Sequence, residues 1–91
     1  MLIKLKQAAK SKTHRKIILF FAENQGSIDT PRGVSTWINE SIQNVRIALE
    51  DLVKLGFLKA HRTSSTIGYS CPLGKKQLGT LVKALKKISN A

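Results

Sequence analysis

The sequence predicts a mainly α-helical domain that carries one small β-hairpin, an α+β arrangement. Apolar residues recur at helical spacing in four segments, and a capping residue or a proline stands at the start of each. Residues 57–62 and 67–71 have the composition of short strands and enclose a polar turn at 63–66. A chain of 91 residues can bury one hydrophobic core, so we expect a single domain over residues 1–91.

The amino-terminal part predicts an arm followed by a first helix. Residues 1–10 interleave leucine, isoleucine and alanine with lysines, which is typical of a helical arm or extension. Thr13 can cap a helix over residues 14–22, because its side-chain oxygen can accept from a backbone N–H of the first turn. The expected buried stripe of this helix has four members: Ile17, Ile18, Phe20 and Phe21.

Two further helices are expected, joined by a tight turn. In the Asp-Thr-Pro run at 29–31, a capping side chain precedes a proline whose missing N–H costs nothing at the first helical position, which predicts a helix over 31–38. Ser41 can cap a helix over 42–55, and Gly56 can end it in the left-handed conformation. Six residues of this region and of the hairpin are expected to be buried: Trp37, Val45, Leu49, Leu52, Tyr69 and Cys71.

The carboxyl-terminal segment predicts a last helix over 72–89 that Pro72 opens. Its apolar stripe has five members, with the lysines of the segment off the stripe: Leu78, Leu81, Val82, Leu85 and Ile88. Together with Leu2, Ile3 and Leu5, this stripe is larger than a three-helix core needs. We therefore expect a homodimer that forms through the amino- and carboxyl-terminal helices.

The charge of the chain indicates a polyanionic partner. Sixteen lysines and arginines against five aspartates and glutamates give a net charge of +11 and a pI of about 10.3. DNA, RNA and an anionic membrane surface all fit, since clustered cations bind phosphates partly by releasing counterions. The longest apolar run, at 17–22, is far shorter than the roughly 20 residues that a spanning helix needs, so no membrane insertion is expected.

The sequence lacks the residues that disulfide, zinc and catalytic chemistry need. Cys71 is the one cysteine of the sequence, so neither an intrachain disulfide nor a zinc-binding thiolate cluster can form. The sequence shows no glycine-rich phosphate loop and no nucleophile–base signature, and the acidic residues are not arranged as a catalytic pair. We expect no enzymatic activity, no cofactor and no small-molecule ligand.

Two stretches in order along the chain resemble a known group of proteins. Ser41, Val45, Leu49, Leu52 and the run 56–58 are similar to the S-x-x-x-V-x-x-x-L-x-x-L-x-x-x-G-h-h pattern of winged helix-turn-helix transcriptional regulators such as the MarR, ArsR and PadR-like groups. The run Tyr-Ser-Cys-Pro-Leu-Gly-Lys-Lys at 69–76 resembles the Y-x-L-T-x-x-G-k step by which these families leave the wing and enter the next helix. The resemblance implies a winged helix-turn-helix fold.

The resemblance also implies sequence-specific binding to double-stranded DNA, with the third helix in the major groove and the hairpin tip over the adjacent backbone. Gln43 and Asn44 can pair with adenine, and Arg46 with guanine or a phosphate, so these residues and Ser41 are expected to contact bases. Nine residues are expected to contact the DNA backbone: Lys12, Arg15, Arg32, Lys59, His61, Arg62, Thr63, Ser64 and Ser65. A polar residue on an outer helix face can equally be solvated, and that alternative stays open.

The charges are unevenly distributed along the chain. Residues 23–51 hold all five acidic residues and two basic ones, Arg32 and Arg46, so this segment has a net charge of −3. The positive charge then comes from the flanking first helix, wing and last helix. Glu40, Glu50 and Asp51 would repel phosphates if they faced them.

These observations favour a dimeric transcriptional or replication/partition regulator of the cytoplasm, associated with the nucleoid. Two alternatives stay open. The domain could be a protein-interaction module in a larger assembly, in which case the positive charge favours solubility or an acidic partner. It could also bind RNA, which the charge alone does not separate from DNA.

Overall fold

The structure, a computed structural model, describes residues 6–89, with side chains described for residues 6–87. Within this range, four helices and one hairpin follow one another along the chain: α1 (Lys12–Glu23), α2 (Pro31–Ile38), α3 (Ile42–Lys54), β1 (Lys59–Arg62), β2 (Ile67–Ser70) and α4 (Lys75–Ser89). Residues 6–8 are helical as well. The expected mainly helical arrangement with one hairpin is confirmed, and the first five residues of the expected arm lie outside the described residues.

The starts of α2 and α3 confirm the capping residues expected from the sequence. The Thr30 side chain accepts a hydrogen bond from the Gly33 N–H at 3.1 Å, and Pro31 takes the first helical position. The Ser41 hydroxyl accepts from the Asn44 N–H at 3.2 Å. Each cap satisfies a donor that has no partner inside the helix.

The expected starts of α1 and α4 are wrong. Ser11 caps α1 by accepting from the His14 N–H at 3.1 Å, while the Thr13 hydroxyl donates to Glu40 Oε1 at 3.2 Å. The last helix begins at Lys75 and not at Pro72. The side chain of Gln77 accepts from the Gly74 N–H at 3.0 Å, which satisfies an orphan donor and places the start of α4 after Gly74.

The end of α3 explains why the first strand begins later than expected. Gly56 has φ +87°, the left-handed conformation, and its N–H donates to Val53 O at 3.0 Å. The N–H groups of Phe57 and Leu58 both donate to Leu52 O, at 2.9 and 3.2 Å. These bonds close the helix with a Schellman motif and occupy residues 57 and 58, so β1 starts at Lys59.

Helix α1 lies at the centre of the core, where it packs against α2, α3 and α4. The expected stripes of α1 and α3 are buried, and so are Leu78, Leu81 and Leu85 on α4. Tyr69 is 2% exposed, as expected. The largest side chains with almost no exposed surface come from four helices: Phe21, Ile17, Leu49, Leu52, Leu78, Leu85, Val34 and Val45.

Two residues expected in the core differ from the prediction. Trp37 is 74% exposed, because Pro31, Val34 and Ile38 form the inward ridge of α2 and the position before Ile38 is rotated by about 100° from it. The indole instead lies over Phe20, with ring centroids 6.3 Å apart. Cys71 is half-buried, its thiol donates to Phe57 O at 3.5 Å, and burial raises its pKa.

An isolated β-bridge between Asp29 and Tyr69 extends the hairpin, and the sequence did not predict it. β1 and β2 are antiparallel, with Lys59 opposite Ser70 and Arg62 opposite Ile67. Asp29 joins the other side of β2: its N–H donates to Tyr69 O at 2.9 Å, and the Tyr69 N–H donates to Asp29 O at 2.8 Å. This bridge ties the segment before α2 to the hairpin.

Gly68 is required at this bridge, because a Cβ atom there would lie 2.7 Å from Ile28 Cγ2. We expect Gly68→Ala to lower the free energy of unfolding by about 1–3 kcal/mol, since the added methyl overpacks the site. Gly79→Ala on α4 is the control: a Cβ there meets no atom within 4 Å, and alanine favours a helix by about 0.5–1 kcal/mol over glycine. Urea denaturation measures both, and equal effects of the two substitutions would contradict the steric argument.

Candidate nucleic-acid interface

The outer face of α3 presents polar side chains near the amino-terminal end of the helix. Val45, Ala48, Leu49 and Leu52 face the core with no exposed surface, so the positions on the opposite side of the helix point outward. Ser41, Gln43, Asn44 and Arg46 are exposed, and we call these four residues the reading face. No hydrogen bond to another described residue holds the side chains of Gln43, Asn44 or Arg46, whereas the Ser41 hydroxyl caps the helix. Ile47 lies beside them and is 62% exposed.

The acidic residues near the reading face are paired with basic residues of other segments. Lys16 Nζ lies 2.7 Å from Glu40 Oε2 and also donates to Ile38 O at 3.1 Å. Arg62 Nη2 lies 2.9 Å from Glu50 Oε1. These cations partly neutralise the carboxylates, so the net negative charge of residues 23–51 does not act as an unpaired field against a polyanion.

Asp51 receives two partners from the amino-terminal side of the chain. Lys10 Nζ lies 3.1 Å and His14 Nε2 lies 3.0 Å from Asp51 Oδ2. His14 is 4% exposed, and its other ring nitrogen contacts the Ser11 hydroxyl. The His14–Asp51 contact therefore holds α3 against α1 on the side of α3 that faces α1.

Hydrogen bonds lower the pKa of the carboxyls of Glu40, Glu50 and Asp51. The main cause is the hydrogen bond from Lys16 for Glu40, from Tyr69 for Glu50 and from His14 for Asp51. Each partner stabilises the ionised form of the carboxyl.

Glu50 joins the hairpin to α3. The Tyr69 hydroxyl donates to Glu50 Oε2, and Arg62 Nη2 donates to both oxygens of Glu50, at 2.9 and 3.2 Å. Burial, followed by the bond to Glu50, raises the pKa of Tyr69 to about 12, so the hydroxyl keeps its proton at neutral pH. One side chain from each strand thus holds the hairpin at a defined angle to the reading face.

The residues expected at the DNA backbone fall into two groups. The structure leaves five of them exposed, without a side-chain hydrogen bond to another described residue: Lys12, Arg32, Lys59, Ser64 and Ser65. The other four already have partners within the fold. Arg15 donates to Ala9 O at 2.8 Å, His61 Nε2 lies 2.7 Å from Ser70 Oγ, and Arg62 binds Glu50. Thr63 Oγ1 accepts from the Thr66 N–H at 3.1 Å and so shapes the hairpin tip.

An open groove of about 450 Å³ runs between the end of α1 and the end of α2. Leu19, Phe20, Trp37 and Ile38 form its apolar walls, with Lys16, Glu23 and Asn24 at its edges. No helix of the described residues is long and apolar enough to cross a membrane.

The lowered carboxyl pKa values predict a loss of stability in acid. A carboxyl whose folded-state pKa is lowered contributes stability above its ordinary value of about 4, and that contribution is lost as the pH falls through the lowered pKa. We expect the free energy of unfolding, measured by urea denaturation, to fall between pH 5 and pH 2, and to fall less in Asp51→Asn than in the wild type. Glu23→Gln is the control, because Glu23 is exposed and has no ion pair with a described residue. Parallel pH profiles for wild type and Asp51→Asn would contradict the assignment.

The comparison with known proteins identifies the fold. Neither a family model nor a curated protein matches the sequence. A crystal structure of fragment 1–100 of a possible transcriptional regulatory protein from Mycobacterium bovis superposes with a TM-score of 0.74 at 12% identity, covering 99% of this chain and 91% of that chain. A solution structure of a homodimeric winged helix-turn-helix DNA-binding domain from M. bovis, a possible ArsR-family transcriptional regulator, gives 0.69 at 12% identity, covering 98% and 78%.

The antimony-specific transcriptional repressor AntR is similar as well, with a TM-score of 0.73 at 19% identity over 98% of this chain and 77% of that chain. The homodimeric M. bovis domain is a winged helix-turn-helix, and the match to it covers 98% of this chain. The chain therefore has the winged helix-turn-helix fold, with α2 and α3 as its two consecutive helices and the hairpin of β1 and β2 as its wing.

Proposed function

We propose that the protein binds double-stranded DNA in a sequence-specific manner and acts as a regulator of transcription, or of replication or partition. The observation that carries the proposal is the reading face, whose Gln43, Asn44 and Arg46 side chains are exposed and have no partner among the described residues. A helix of this fold inserts its amino-terminal side chains into the major groove. The similarity in fold to the AntR repressor and the M. bovis DNA-binding domain supports the same use of α3.

The reading face has the donors and acceptors that base recognition needs. The amides of Gln43 and Asn44 can each bind N6 and N7 of adenine, and Arg46 can bind O6 and N7 of guanine. Each bidentate pair discriminates against a wrong base by about 1–3 kcal/mol. The Ser41 hydroxyl accepts a hydrogen bond from the backbone of its own helix, which leaves its proton and one lone pair for a base contact.

Contacts to phosphates would supply affinity without sequence preference. Lys59 at the start of the wing and Ser64 and Ser65 at its tip are exposed, as are Lys12 and Arg32 on the first two helices. Arg62 is different, because Glu50 already binds its guanidinium. Glu50 then positions Arg62, and a phosphate would have to share or displace this carboxylate.

RNA binding and a purely protein-binding role are the alternatives. A-form RNA has a deep, narrow major groove that side chains cannot enter, so a helical reading face of this kind suits B-form DNA better. Titrating labelled duplex DNA, duplex RNA and single strands at several salt concentrations separates the three possibilities. A preference for RNA or single strands, or binding to duplex DNA without salt dependence, would exclude the proposal.

We expect Arg46→Ala and Lys59→Ala to affect DNA binding differently. Removing Arg46 should cost about 1–3 kcal/mol on the preferred sequence and relax the preference at one base pair, because a base contact is lost. Removing Lys59 should weaken all sequences alike and lower the salt slope by about 1, because one phosphate contact is lost. Selection from a random duplex pool, followed by titration, measures both effects. Equal behaviour of the two variants would refute this division of roles.

A homodimer is a second part of the proposal, and its support is the similarity in fold to the homodimeric M. bovis domain. The surplus apolar stripe expected from the sequence does not support it, since Leu78, Leu81 and Leu85 are buried within one chain. Leu2, Ile3, Leu5 and the side chain of Ile88 lie outside the described residues. Location in the cytoplasm on the nucleoid, and a binding role without catalysis, follow from the same proposal.

We expect sedimentation at micromolar concentration to give a mass about twice the chain mass of 10.1 kDa. A dimer lets two reading faces contact half-sites about one turn of DNA apart, which explains the expected advantage of pairing. A 10.1 kDa species that persists over a hundredfold range of concentration would exclude the homodimer and leave the DNA-binding proposal intact.

A further inference from the structure

The lysines of α4 lie on one side of the helix. Successive residues of an α-helix are rotated by about 100°, so the five lysines of α4 fall within about 120° of its circumference. They span about 18 Å along the helix axis at 1.5 Å per residue. All five are exposed, and together they are called the lysine face: Lys75, Lys76, Lys83, Lys86 and Lys87.

No acidic side chain of the described residues forms an ion pair with the lysine face. Residues 52–91 contain no aspartate or glutamate, and no ion pair among the described residues involves α4. The acidic side chains that are ion-paired, Glu40, Glu50 and Asp51, take their partners from α1, from Lys10 and from the wing. The positive charge of α4 is therefore uncompensated within the described part of the fold.

Part of this arrangement opposes helix stability, although Lys86 and Lys87 in the last turn suit the negative end of the helix dipole. Lys75 and Lys76 occupy the first turn of α4, where the positive end of the helix dipole disfavours cations, and the turn has no acidic residue. Lys83 and Lys87 are four positions apart, a spacing at which like charges repel. Helix propensity and solubility require lysines neither in the first turn nor at a spacing of four residues. Binding of an external anion explains the lysine face better.

The remaining surface of α4 decides which kind of anion fits. A helix that lies on an anionic membrane inserts large apolar side chains into it. In α4 the leucines at 78, 81 and 85 are buried in the core, and the exposed positions between the lysines are Gln77, Gly79 and Thr80. A straight, polar and cationic face matches the regularly spaced phosphates of a duplex better than a lipid surface.

The lysine face and the reading face belong to different sides of the fold. Helix α4 packs on α1, and α1 packs in turn on α3, whereas α3 and α4 have little or no direct contact. The lysines lie on the side of α4 opposite its buried leucines, and the reading face lies opposite the buried side of α3, so both faces point away from the core. One straight duplex seated in front of α3 is therefore expected to leave the lysine face uncovered.

We propose that the lysine face binds the phosphate backbone of a second duplex segment, separate from the one that α3 contacts. This inference rests on the proposed function, because it assumes that the reading face is already occupied by DNA. The protein would then connect two segments of duplex. A homodimer interface built on this face would bring two sets of five lysines together, so the dimer has to use other surfaces.

A bridging assay tests the proposal. The full chain is added to a duplex immobilised on beads, and a second, fluorescent duplex of unrelated sequence is then supplied. The test variant is Lys76→Gln/Lys83→Gln/Lys87→Gln, which removes three lysines that lie within about 40° of one another around the helix and span most of its length. Its matched control replaces the same three residues by arginine and keeps the charge. Capture of the protein on the beads and retention of the fluorescent duplex are measured separately over a range of salt.

We expect wild type and the arginine variant to retain the second duplex, and the glutamine variant to lose most of this retention. The salt slope of retention should fall by about 3 in the glutamine variant, about 1 for each lost phosphate contact. Capture on the first duplex should stay within about threefold of wild type at low salt. Far-ultraviolet circular dichroism confirms that the helices form in all three proteins.

Other results would overturn the proposal in distinguishable ways. Retention by the glutamine variant equal to wild type excludes a role for the lysine face and leaves the reading face unaffected. Absence of capture on the first duplex in every protein refutes both the proposed function and the second site. Loss of binding to phosphatidylserine vesicles in the glutamine variant, with bridging unchanged, assigns the face to a membrane instead.

Discussion

Burial of one side of α3 is the constraint on which the rest of the structure depends. Val45, Leu49 and Leu52 have no exposed surface, and each buried side chain of this kind contributes about 1.5–3 kcal/mol. Because these residues recur every three or four positions, turning them inward leaves the reading face outward. A rotation of α3 that changed the outer face would expose the apolar side. The orientation of α3 is thus determined by the same residues that stabilise the fold.

Polar contacts around α3 hold the helix in place in addition to apolar burial. His14 and Lys10 bind Asp51, Lys16 binds Glu40, and the wing binds Glu50. Surface ion pairs of this kind add little stability on average, but a network that reaches a buried histidine and a buried tyrosine fixes geometry. The same contacts partly neutralise Glu40, Glu50 and Asp51. A net charge of −3 along residues 23–51 is therefore compatible with a surface that approaches phosphates.

The uncompensated positive charge is distributed over the outside of the domain. Lys12, Arg32 and Lys59 are exposed on elements next to the reading face, and five further lysines lie on α4. Ion pairing holds some basic residues within the fold and leaves others exposed without an ion pair to a described residue. Arg62 belongs to the paired group, since it holds the wing against α3. This division explains how a segment of net charge −3, residues 23–51, and a net charge of +11 occur in one small chain.

The sequence by itself determined the order of the elements and the buried faces of α1 and α3, because these depend on residues a few positions apart. Thr30, Pro31 and Ser41 start α2 and α3, and Gly56 ends α3, as their local chemistry requires. The spacing of Val45, Leu49 and Leu52 assigned the inner face of α3 and so its outer face. The identity of the residues on the reading face follows from that spacing, whereas their contacts with bases stay a prediction.

Only the tertiary structure decided which charges are paired and which large residues are exposed. The partners of Glu50, Glu40 and Asp51 are 12, 24 and 37 residues away, and no local pattern relates such positions. Trp37 is exposed because the packing angle of α2 turns its neighbour Ile38 inward. The Asp29–Tyr69 bridge likewise depends on where the hairpin meets the segment before α2. Contacts between distant segments are set by how the helices pack, and that packing minimises exposed apolar area over the whole chain.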